Sequence, residues 1–143
     1  MIKIIAGGKK NAGEYGWLIR DFEKRVRKPF DMSWQFFEGE KLNDYLEKWP
    51  FKAEQFVIVA DERGEIIDSP EFSQLLEWQF NRAKEVVIVI GGAYGVSEEV
   101  REKANFVWSF SKLVFPHMIA RLVVAEQIYR AQEIARGGKY HHE

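Results

Sequence analysis

The chain has no cysteine at all. That absence excludes disulfides, thiolate zinc centres and cysteine nucleophiles, and it suits a reducing, cytoplasmic compartment. No apolar stretch approaches the ~20 residues that span a bilayer. The opening Met1-Ile2-Lys3-Ile4-Ile5-Ala6-Gly7 is also too short in its apolar run for a signal peptide. Internal repeats and low-complexity segments are missing as well. Charge of either sign is not in excess: 21 Lys and Arg oppose 22 Asp and Glu, for a net charge of −1. A protein that holds RNA by bulk attraction is usually basic, because phosphate neutralisation drives that binding.

What is present amounts to one domain of 143 residues, 46 % hydrophobic and 30 % charged, long enough to close a core without metal staples. Its charges are unevenly placed. Lys9, Lys10, Arg20, Lys24, Arg25, Arg27 and Lys28 make the first segment basic, and Lys112, Arg121, Arg130, Arg136 and Lys139 do the same for the last. Acidic residues crowd the middle. Either a local basic face or merely solvated helix surfaces would give this pattern.

Periodicity predicts strands and helices in alternation. Ile2–Ala6, Met32–Phe37, Gln55–Ala60, Val86–Ile90 and Trp108–Phe115 read as strands. Glu14–Val26, Leu42–Trp49, a helix opening at Ser69-Pro70-Glu71, another from Ser97 through Ala104, and His117–Ala135 read as helices. Asp61-Glu62-Arg63-Gly64 reads as a turn, and Ser69 as a helix cap with Pro70 at the first helical position. Alternation of this kind implies an α/β protein with a mostly parallel sheet.

Several segments invite functional and structural readings side by side. Gly91-Gly92-Ala93-Tyr94-Gly95 follows the most β-branched strand. It has neither the dinucleotide spacing nor a P-loop Lys-Ser/Thr. These glycines either make a tight turn or let a ligand lie against bare backbone at the carboxyl end of the sheet. Trp108–Phe115 is either a core strand or, because Ser111 and Lys112 interrupt it, a loop able to wrap an adenine ring. His117 begins a helix, where a neutral structural role competes with a functional one. That helix is apolar on more than one side and needs cover from two directions, one of them a natural place for a second subunit. Glu126 and Arg130 are spaced to pair, and Arg121 is offered for a phosphate or carboxylate contact. His141 and His142 would ordinarily be a frayed tail.

Four linked motifs change the weighting: the Ile-Gly-Gly-x-x-Gly turn, Trp-Ser-x-Ser-x-Leu-x-x-Pro-His, Arg-x-x-x-Ala-Glu-x-x-Tyr-Arg-Ala, and the terminal Tyr-His-x-Glu. From Val86 to Glu143 they resemble, in order, the small bacterial SPOUT-class methyltransferases that modify N3 of a pseudouridine in large-subunit (23S) ribosomal RNA. The resemblance implies a single SPOUT domain over residues 1–143, a C-terminal deep trefoil knot, and a homodimer without metal or membrane attachment. It implies S-adenosyl-L-methionine bound by Ala60, Gly91 and the run Phe110, Ser111, Lys112, Leu113, Val114 and Phe115. The tail is expected to meet the nucleotide through Tyr140 and His142, with His117 nearby. His141 or Glu143 would take the N3 proton, and Arg121 would orient RNA or stabilise charge. The departures from the family pattern are Ala60 where Leu is common, the charged Asp61-Glu62-Arg63, an acidic Glu38-Gly39-Glu40-Lys41 in place of a basic loop, and His142 in the tail. They bear on RNA recognition more than on the cofactor. Two other classes stay open on sequence: a tRNA base methyltransferase of the same fold, and a non-catalytic nucleotide-binding α/β dimer.

Overall fold

A computed structural model describes residues 1–142. Its elements run β1 (Ile2–Gly7), α1 (Gly13–Arg25), β2 (Met32–Phe37), α2 (Lys41–Lys48), β3 (Gln55–Ile66), α3 (Ser69–Asn81), β4 (Glu85–Ile90), α4 (Glu98–Lys103), β5 (Phe106–Ser109) and α5 (His117–Ala135). All strand pairs are parallel, in the order β2-β1-β4-β3-β5. The α/β class with a parallel sheet is therefore as the sequence predicts.

The two-residue strand repeat sorts the core into two layers. Ile4, Ile58 and Ile88 face Phe72 and Leu76 of α3 and Val124 and Ile128 of α5. Ile5, Val57, Val59, Val87 and Val89 face Leu42 and Leu46 of α2 and Val100 of α4. Between these layers Val86–Ile90 is at most 2 % exposed, which explains why β4 is apolar at every position instead of alternating. Each such side chain contributes about 1.5–3 kcal/mol by leaving water.

Three local expectations need correction. Asp61–Gly64 is not a turn, because β3 continues to Ile66 and pairs with β5 across a register shift between Ala60 and Glu65. Asp61 is held at 3.2 Å by Arg63 and at 3.7 Å by Arg101, so a polar run that looks like a turn stays extended as a bulged edge. The fifth strand starts at Phe106 and stops at Ser109, not Phe115. There the Ser109 hydroxyl donates to the Ser111 carbonyl at 2.7 Å and Ser111 Oγ accepts from Leu113 N at 3.0 Å. Those local bonds replace the ladder. Finally Asp68, not Ser69, caps α3: its carboxylate accepts from Glu71 N at 2.8 Å while Glu71 accepts from Asp68 N at 3.1 Å. The freed Ser69 hydroxyl donates to Gln127 of α5 at 2.7 Å.

Candidate active site

At the carboxyl edge of the sheet, the segments that follow β4 and β5 and the extended end of β3 enclose a cavity of about 520 Å³. One wall is Ala60–Arg63, the second Ile90–Val96, the third Trp108 to His117 without Ser109 and Lys112, with Arg101 and Ala120 closing the ends. The volume is in the range of pockets that hold drug-sized ligands. Open α/β sheets bind ligands at this edge because strands end there and loops diverge.

The glycine turn is shaped first by chain packing. A Cβ on Gly92 would stand 2.9 Å from the Gly7 carbonyl carbon, and one on Gly91 would stand 2.9 Å from that of Gly95. Neighbouring strands β1 and β4 thus emerge with their backbones nearly touching. Gly95 N donates to Gly92 O at 3.0 Å and closes the turn. From across the layer, Asn43 of α2 donates to Gly95 O at 3.2 Å and accepts from Ser97 N at 2.9 Å. The tight-turn reading of the glycines is met, and the turn presents bare main chain to the cavity.

The loop after β5 is anchored by aromatic contacts. Trp108 stacks on Phe72 at 4.1 Å, Phe110 meets Trp108 edge-on at 4.7 Å, and Phe115 lies 6.2 Å from Phe110. Leu113 and Val114, at 68 % and 76 % exposure, hang over the cavity with nothing packed upon them. Apolar side chains left open at a pocket mouth mark a binding surface. Lys112, within the run expected to hold the cofactor, is exposed and is not among the residues that line the cavity.

His117 lines the cavity at the start of α5. Arg121, one turn on along the same face of α5, is fully buried; a Cβ added at Gly8 would meet its guanidinium at 3.0 Å and the His117 ring at 3.5 Å. Its guanidinium donates to the carbonyls of Gly7 at 2.6 Å and Lys9 at 2.7 Å and to Asn11 Oδ1 at 3.1 Å, with its charge over the Phe36 ring. Burial holds its pKa below the ordinary arginine value. A guanidinium so placed is not open to RNA. It fixes the loop that leaves β1 beside the glycine turn, which is a positioning role rather than the contact the sequence suggests.

The C-terminal residues lie elsewhere. The Glu126–Arg130 pair forms as its spacing implies, at 2.7 Å, and the tail folds onto it. Tyr140 OH donates to Glu126 at 2.9 Å, and its ring meets Tyr129 at 4.7 Å. Arg130 reaches His141 Nδ1 at 3.0 Å. Since arginine can only donate, Nδ1 accepts and Nε2 carries the ring hydrogen. Burial, then the bond to Glu126, raises the Tyr140 pKa, so this hydroxyl stays protonated. His142 is exposed, and Glu143 lies outside the described residues. From His117 to Arg130 the helix advances about 20 Å at ~1.5 Å per residue. One chain therefore gathers Ala60, Gly91, Phe110, Ser111, Leu113, Val114, Phe115 and His117 in its cavity but leaves Tyr140, His141 and His142 apart from it. Among the described residues no group of three His, Asp or Glu could hold a metal ion, and no helix is long and apolar enough to cross a membrane.

Asn43, Asp61 and Arg101 are the site residues that sequence reading misses. Each acts across a long separation in sequence.

A family model described as "Predicted SPOUT methyltransferase" matches residues 1–141. Ribosomal RNA large subunit methyltransferase H of Caldicellulosiruptor bescii is 35 % identical over 153 aligned residues, spanning 99 % of both chains. The protein of the same name from Caldicellulosiruptor saccharolyticus is 41 % identical over 104 residues, covering 73 % of this chain and 64 % of that relative. Among solved structures, a probable methylase family protein from Haemophilus influenzae Rd KW20 aligns over 99 % of this chain and 70 % of its own at TM-score 0.60 and 11 % identity. The SpoU methyltransferase AviRb from Streptomyces viridochromogenes, in complex with AdoMet, aligns over 96 % of this chain and 58 % of its own at TM-score 0.50 and 14 % identity. These two share the fold. Matched nearly end to end by the family model and by a full-length relative, the chain belongs to the SPOUT methyltransferase family.

Proposed function

We propose that this protein transfers a methyl group from S-adenosyl-L-methionine to N3 of a pseudouridine in 23S ribosomal RNA, acting in the cytoplasm as a homodimer on the assembled ribosome or large subunit. The observation that carries the reading is the three-walled cavity of bare backbone and open apolar side chains, in a chain whose full-length relative is named for ribosomal RNA methylation.

The residues present fit the cofactor. Apolar walls from Phe110, Leu113, Val114 and Phe115 suit an adenine ring, and main chain at Ala60, Gly91 and Ser111 supplies the polar edge. When bound, S-adenosyl-L-methionine supplies an electrophilic methyl group on a sulfonium. The protein's part is then to align the acceptor and exclude water. N3–H must lose its proton, and a positioned base typically accelerates such a step by about 10²–10⁴-fold. Glu143 or His141 takes that proton. Docked on α5, His141 has no free acceptor nitrogen, so it serves only after parting from Arg130.

With the tail about 20 Å along α5 from its own cavity, the nucleotide-facing residues of one subunit serve the cavity of the other. Met118, Ile119, Leu122 and Val123 are only half-buried on α5 and supply an apolar face for that partner. The trefoil knot belongs to the same proposal: the C-terminal segment threads a loop of the sheet.

Mass spectrometry of ribosomal RNA from cells with and without the protein tests the activity. Loss of one N3-methylpseudouridine from 23S RNA is expected. An unchanged 23S RNA with a methyl group missing from tRNA contradicts it.

A further inference from the structure

At the far end of α5 from the cavity, a second cleft of about 570 Å³ opens between the end of α1 and the end of α5. Lys24, Arg25, Arg27 and Lys28 form one side and Arg136 the other. Asp21 pairs with Arg25 at 2.9 Å and Glu133 with Arg136 at 2.7 Å. Among the described residues, no carboxylate pairs with Lys24, Arg27 or Lys28. A helix C-terminus favours cations in its last turn, which accounts for Lys24 and Arg25. It does not account for Arg27 and Lys28, which lie beyond the helix end.

The cleft is also built rather than incidental. Gln132, 7 % exposed, accepts from Arg27 N at 2.6 Å and donates to Arg25 O at 3.1 Å, so a buried amide sets the path of the basic turn. Arg27 in turn donates to the carbonyls of Lys24 at 2.8 Å and Val26 at 3.0 Å. Tyr129 joins this cleft to the tail: Arg25 lies over its ring at 5.7 Å and Tyr140 packs against its edge at 4.7 Å. A concave surface with three cations free of a carboxylate partner among the described residues matches a run of phosphates, and it lies beside the residues assigned to the nucleotide.

We propose that this cleft grips the RNA backbone flanking the target nucleotide, so that each subunit lends its tail and its phosphate grip to the cofactor cavity of the other. This rests on the ribosomal RNA reading above. It also reconciles a chain of net charge −1 with an RNA substrate, since the attraction is concentrated where the nucleotide is presented.

The test uses the full-length protein, large ribosomal subunits from cells that lack the protein, and protein-free 23S RNA. Two variants are compared: Lys24→Gln with Lys28→Gln, which removes no hydrogen bond of the structure, and the same pair with Arg27→Gln. The expected result is a KM for subunits raised tenfold or more, and RNA binding whose log–log salt slope falls by about 1 for each phosphate left without its cation. Affinity for S-adenosyl-L-methionine, kcat and dimer mass stay as in the wild type, and Lys24→Arg with Lys28→Arg restores KM. Unchanged KM and salt slope in both variants overturn the proposal. So does dissociation of the dimer, which would make the cleft a contact between chains. Failure to bind subunits with intact binding to protein-free RNA overturns it too, in favour of a ribosomal protein as partner. Should wild-type protein methylate no subunit, the activity reading fails by itself, and the salt dependence of RNA binding still judges the cleft.

Discussion

Gly92 and Gly7 meet backbone to backbone, so a single methyl group added at Gly92 must push two neighbouring strand ends apart. Overpacking of this kind costs about 1–3 kcal/mol. Because the displaced segment is the cavity wall, Gly92→Ala should weaken S-adenosyl-L-methionine binding about tenfold or more, each tenfold being ~1.4 kcal/mol; titration calorimetry reads this directly. Arg121 makes a different prediction. Arg121→Met leaves the oxygens of Gly7, Lys9 and Asn11 without their donor. Stability should fall by about 3 kcal/mol, seen as a lower urea midpoint at constant m-value. If the loss appears only in catalysis and stability is untouched, the positioning role is wrong. Glu133 sets an acid limb. Its bond to Arg136 holds its carboxyl pKa below the ordinary 4.5, so its contribution is complete above that value and disappears as pH falls through the lowered folded value. Urea midpoints measured from neutral pH downward should show a shallower acid limb in Glu133→Gln.

Among the elements, legibility in the sequence followed the range of the forces involved. The bounds of β2 and α5 match the residue pattern, since an apolar run marks the strand and Pro116 and Gly137 bracket the helix locally. The Gly91–Gly95 turn was readable because missing side chains are written within a few residues, and the resemblance set it beside Phe110–Phe115, with which it lines one cavity. β3 defied its turn-like Asp61-Glu62-Arg63-Gly64 because β5 and Arg101 arrive from some 40 residues away. Similarly, nothing near Arg121 in sequence announces that β1 will end against it. The docked tail was invisible for the same reason: Glu126 and Arg130 look like an ordinary helical pair until Tyr140 and His141 return to them.

For the whole molecule, the proposed reaction, with tail and cavity separated along α5, makes methylation a property of the dimer we propose. Deleting the last four residues should abolish methylation while S-adenosyl-L-methionine binding persists. Gly92→Ala should be nearly inactive for the opposite reason. Co-expressing the two defective chains should restore methylation, because the mixed dimer pairs an intact cavity with an intact tail. A mixture that stays inactive despite subunit exchange would place both functions within one chain. Underlying all of this is the cavity at the carboxyl edge of the sheet, and a crystal structure grown with S-adenosyl-L-methionine is the most direct measurement of it. The cofactor should lie between Ala60, Gly91 and Phe110–Phe115, with Leu113 and Val114 closed over it; finding it bound elsewhere, or this space filled by the protein's own side chains, would contradict the account.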